Sequence, residues 1–164
     1  MEPKNAYEEV LRLLPEKTIV SLRDGLANGQ YADVDFYKLH EFLERTSEAD
    51  FYFDISKLQG AYDTLRGTAN ELYWFLVTHF FRAGMGATCT LYPGRKEAEY
   101  ALKMEDGTTF TWSQLQEAGL QKARQLHDAY TNLVNVYRYR EVGEVQELVW
   151  DELDFNQESG ELIF

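Results

Sequence analysis

The chain has 164 residues, 45% hydrophobic and 15% aromatic, and carries 28 acidic against 16 basic side chains for a net charge of −12. A disordered chain of that charge would be poor in aromatics, and a chain of this length buries roughly 70% of its extended surface, so composition argues for a folded domain. The anionic excess argues against direct binding to a nucleic acid backbone or an anionic membrane, both of which need clustered Lys and Arg.

The opening "MEPKNAYEEV" lacks the basic and apolar regions of a secretory signal, so a cytoplasmic location is expected. Ala6, Val10, Leu13 and Leu14 recur at helical spacing before Pro15, and Ile19, Leu22 and Leu26 continue the pattern to Gly29, a C-terminal cap. These spacings predict two short helices with a proline break. Asp33 or Asp35 can cap a third helix, in which Phe36, Leu39 and Leu43 share a face.

Leu58, Ala61, Tyr62, Leu65, Ala69, Leu72, Leu76 and His79 step by threes and fours, which predicts a long helix. Its last three turns are "LYWFLVTHFF", Leu72 to Phe81. That decamer is half of the roughly 20 residues a bilayer-spanning helix needs, and Glu71 and Arg82 bracket it, so it reads as the buried centre of a globule.

After Gly84 and Gly86 the period changes to two. "ATCTLY" predicts a strand in which Cys89 shares a face with Ala87 and Leu91 as a buried structural thiol. "EAEYALKMEDGTTFTW" predicts a hairpin. A two-residue Asp106-Gly107 turn would split the large apolar residues between both faces, whereas a three-residue loop pairs Leu102 with Phe110 and Tyr100 with Trp112 on one face. The second register is the expected one.

Ser113 with Gln116 matches a capping box, opening a helix with Leu115, Gly119, Ala123, Leu126, Tyr130, Leu133 and Tyr137 in step. Arg138 and Arg140 suit its negative C-terminal end. Two strands, Val145 to Phe155 and Glu161 to Phe164, are expected to end the chain. The fold class is therefore α+β, as one domain spanning residues 1–164. A helical N-terminal half with a central buried helix precedes a small antiparallel sheet of about four or five strands, interrupted by one long amphipathic helix.

The functional signal is charge distribution. Residues 141–164 hold eight Asp and Glu and no Lys or Arg, so two-thirds of the net charge sits in the last 24 residues. Glu144, Glu147, Asp151, Glu152, Asp154 and Glu158 alternate or cluster around apolar residues, which would leave one acidic face on the strands. Edge protection is one account of such a face, but that device normally uses Lys as well. A one-signed field accelerates association with a basic partner and imitates a phosphate backbone. The leading expectation is a non-enzymatic protein-binding module, of inhibitor or immunity type, that engages a basic nuclease, toxin or nucleic-acid-binding protein. No cofactor or resident metal is expected, and oligomeric state is left open.

Two rivals stand beside it. With His79 upstream and Asp151 or Asp154 downstream, the His127-Asp128 pair supplies in order the ligand types of a metal-dependent phosphohydrolase. Alternatively, Tyr73 or Trp74 on the aromatic helix could line a pocket for a small apolar ligand.

Overall fold

In a computed structural model of the chain, residues 3–48, 51–82, 86–91, 102–103 and 109–141 are described. Pro15 divides the first apolar run into α1 (Pro3–Leu13) and α2 (Glu16–Leu26), because it has no N–H to continue the ladder. Gly29, at φ 71°, then reverses the chain. A side chain there would be strained, and its Cβ would come within 2.6 Å of the Trp112 ring. The Gly29 carbonyl accepts a hydrogen bond from the Leu91 amide at 2.9 Å, so this one turn joins helix, sheet and the start of the last helix.

Strand β1 (Gln30–Ala32) follows and leads directly into α3 (Asp33–Arg45). Neither Asp33 nor Asp35 caps α3: Ala32 occupies the N-cap with no side-chain bond. Asp35 is instead buried and accepts a hydrogen bond from the Ser21 hydroxyl at 2.6 Å, tying α3 to α2. The other end of α3 is closed from outside the helix. Arg66 donates to the Leu43 carbonyl at 3.2 Å and to the Thr46 hydroxyl at 2.9 Å, placing a cation at the negative helix end.

The predicted long helix is α4 (Ser56–His79), with Leu58, Leu65, Ala69, Leu72 and Leu76 fully buried along one stripe. Two expectations about its end are corrected. The helix stops at His79, and Phe80–Arg82 forms strand β2; aromatic residues suit a pleated surface, and Phe80 pairs with Leu91. Nor is the decamer buried all round, because Trp74 is 57% and Val77 45% exposed.

Strand β3 (Thr88–Leu91) is central in an antiparallel sheet of order β1-β3-β2, with Tyr31 opposite Cys89 and Phe81 opposite Thr90. Strands β4 (Leu102–Lys103) and β5 (Thr109–Phe110) form a separate pair. Leu102 lies opposite Phe110, the register that one coherent apolar face required. The expected single sheet of four or five strands is thus replaced, among the described residues, by a three-stranded sheet and a pair. The turn at 104–108 and the two C-terminal strands lie outside the described residues.

Helix α5 (Trp112–Glu141) carries the predicted stripe, with Leu115, Ala123, Leu126, Tyr130, Leu133 and Tyr137 all buried. Its capping box sits two residues earlier than expected. The Gln114 amide donates to the Thr111 hydroxyl at 3.2 Å, and the Thr111 amide to the Gln114 side chain at 2.9 Å. The helix already begins at Trp112, so that residue is helical where a strand position was expected, and its expected partner Tyr100 lies outside the described residues. Helices α4 and α5 pack closely where Gly119 meets Phe75, since a Cβ on Gly119 would lie 2.8 Å from that ring. The buried residues of all five helices and of the three-stranded sheet form one apolar cluster. Among the described residues no helix is long and apolar enough to cross a membrane.

Candidate functional site

The residues expected to bind a partner, Glu144, Glu147, Asp151, Glu152, Asp154 and Glu158, lie outside the described residues. Glu141, the first acid of the charged stretch, closes α5, so a helix of about 45 Å delivers the chain to it. Several cations of the scaffold are held by its own acids: Arg12 by Glu9, Arg23 by Asp24, Arg82 by Asp33 and Lys122 by Glu71.

The histidine of the rival enzymatic reading is engaged structurally. Arg23 on α2 donates to His127 Nδ1 at 2.9 Å. An arginine has no acceptor, so Nδ1 must offer its lone pair and the ring hydrogen sits on Nε2. From there it donates to Glu16 at 3.1 Å. Both ring nitrogens of His127 therefore serve the seam between α2 and α5, and neither is available to a metal.

Beside this seam an open pocket of about 370 Å³ is lined by Arg23, Asp24, Ala27, Leu120, Arg124, His127 and Asp128. Its two guanidinium groups face acids, Arg23 at 3.2 Å from Asp24 and Arg124 at 3.8 Å from Glu117. The lining includes no hydroxyl or thiol to act as a nucleophile. His79 stands elsewhere, at the end of α4, with its ring 4.6 Å from Phe75. Burial there holds its pKa below the ordinary 6.5. His79, His127 and Asp128 are not gathered into a metal site, and no group of three or more His, Cys, Asp or Glu side chains among the described residues could hold one.

Cys89 is buried as expected, and its thiol donates to Asp33 at 3.3 Å. Burial, with the Asp33 carboxylate beside it, pushes the thiol pKa up, which disfavours the reactive thiolate. The same Asp33 holds Arg82, so the cluster fastens the start of α3 to β2 and β3.

Sequence reasoning missed the outer surface of α3 and α4. Val34 and Tyr37 on α3 are 59% and 60% exposed, and Tyr37, whose ring meets Phe36 at 6.1 Å, connects through a run of touching rings to the exposed Trp74. Phe36 stacks on Tyr73 at 5.2 Å, and Tyr73 meets Trp74 edge-on at 5.4 Å. Trp74, one of the two residues of the pocket reading, is 57% exposed, whereas Tyr73 is half-buried. Gly60 and Gly67 lie at heptad spacing from Trp74, and a Cβ at either would meet nothing within 4 Å. An interior helical glycine costs about 1 kcal/mol relative to alanine, so two with no internal packing reason are the signal that was available in the sequence.

Compared with known proteins, the chain matches no family model, no curated protein and no solved structure.

Proposed function

We propose that the protein is a non-enzymatic protein-binding module of inhibitor or immunity type, acting in the cytoplasm on a basic partner through its acidic C-terminal stretch. The observation that carries this reading is the charge segregation: eight acids and no base in residues 141–164, against 20 acids and 16 bases in the preceding 140. A one-signed stretch of this kind attracts a cationic surface over a Debye length and discriminates against anionic ones. In its sharpest form the carboxylates stand where phosphates would, and the partner is a nuclease, toxin or other nucleic-acid-binding protein. The enzymatic alternative has less support, because both nitrogens of His127 already serve Arg23 and Glu16. The same charge makes the protein itself a poor ligand for nucleic acid.

Affinity capture from the native host at low salt, with elution by salt, supplies the partner for the test. Binding of that purified partner is expected to weaken about tenfold or more as salt rises through the physiological range, and further on charge reversal at Glu147, Asp151, Glu152 and Asp154. Salt-insensitive binding, or binding unchanged by the four reversals, overturns the proposal.

A further inference from the structure

On a chain with so large an anionic excess, the open pocket between α2 and α5 is balanced in charge. Two guanidinium groups, Arg23 and Arg124, and two carboxylates, Asp24 and Asp128, line its volume of about 370 Å³, with Ala27 and Leu120 supplying apolar surface.

The hydrogen-bonding capacity of these groups is only partly used. Arg23 has five N–H hydrogens and spends three, two on Asp24 Oδ1 at 3.3 and 3.2 Å and one on His127 Nδ1 at 2.9 Å. Both bonds to Asp24 converge on Oδ1, which leaves Oδ2 unspent. Arg124 and Asp128 stand one turn apart on α5, at a spacing that permits pairing, yet no ion pair joins them. Arg124 reaches only Glu117, at 3.8 Å, and Asp128 has no ion pair or hydrogen bond among the described residues. The donor side is also fixed in advance. Glu16 holds the His127 ring at 3.1 Å, and His127 and Asp24 hold the Arg23 plane from two directions, which lowers the cost of ordering it around a ligand.

Charge selects the occupant. A simple anion would meet Asp24 and Asp128, and a simple cation would meet the two arginines. A small molecule carrying both a carboxylate and an ammonium group uses both sets at once. We infer that this pocket binds a free α-amino acid with an apolar side chain, its carboxylate on Arg23 and Arg124, its ammonium on Asp24 and Asp128, and its side chain against Ala27 and Leu120. None of these residues belongs to the acidic C-terminal stretch, so this inference is independent of that reading.

Titration of the full chain with leucine at low salt, followed by the amide NMR shifts of residues 120–128, tests it. Saturable shifts are expected, with a dissociation constant between about 1 μM and 1 mM. N-acetyl-leucine lacks the ammonium group and leucine amide lacks the carboxylate, and each should bind at least about tenfold more weakly. Arg124→Gln and Asp128→Asn, both at exposed positions, should each weaken leucine binding about tenfold or more with helix content by circular dichroism unchanged. Arg23→Lys keeps the charge but loses the planar fork, and should weaken binding as well. Absence of shifts at about 10 mM leucine overturns the proposal. Equal binding of either derivative, or an affinity unchanged by either exposed substitution, overturns it too.

Discussion

Phe75 and Trp74 are neighbours on α4 with opposite surroundings. The Phe75 ring is 8% exposed and fills the space beside Gly119 on α5, whereas Trp74 is 57% exposed and stands one heptad from Gly67. On the inner face glycine and aromatic ring are matched within one chain. On the outer face the same two residue types occur along one helix, where they cannot meet each other. An aromatic residue at helical spacing is therefore not evidence of burial by itself; the stripe it belongs to decides.

The two faces separate most widely on truncation. Leu72→Ala, at a fully buried position, is expected to cost about 2–5 kcal/mol, while Trp74→Ala should stay within about 0.5 kcal/mol, both by urea unfolding. Comparable losses at the two positions would show that Trp74 belongs to the core. Glycine replacements sharpen the contrast by differing in sign. Gly119→Val forces side-chain atoms into the Phe75 ring and should lose about 1–3 kcal/mol, whereas Gly67→Ala, with open space around it, should gain about 1 kcal/mol. Loss of stability in both would mean that the outer glycine too is needed within the fold.

The smallest effect is pH-dependent and lies on the inner face. Burial depresses the folded-state pKa of His79 below 6.5, so the unfolded chain binds a proton more readily. The contribution is complete above pH 6.5 and is lost as pH falls from there through the folded value. Thermal unfolding of His79→Gln should accordingly decline less between neutral and mildly acid pH than that of the parent chain. Parallel declines would show that His79 is as well solvated as a free histidine.

What could be read from the sequence follows the length of each periodic signal. The stripe from Leu115 to Tyr137 runs for six turns without a break, and every member is buried. The hairpin register was recoverable because only one pairing put Leu102 and Phe110 together. Strand β1 was not legible: three residues contain no alternation to recognise, and they are a strand only because β3 lies beside them. Thr111-Gln114 and Ser113-Gln116 have the same capping spacing, and the structure uses the first, with Trp112 against Gly29 at the opening of the helix. The roles of Arg23 and Glu16 depend on His127, more than a hundred positions away, and no local pattern encodes such a contact.

The central position of β3 also bears on the order in which the chain folds. Its two partners are unlike: β2 is close in sequence, but β1 is separated from it by the whole of α3 and α4. Pairing β1 with β3 must close that entire loop, an entropic debt that only the prior docking of the two helices reduces. The Gly29 turn and the Asp33, Arg82 and Cys89 cluster lie on this last seam. Small as it is, the sheet is the part of the molecule that should form last and register whether the helices have assembled correctly.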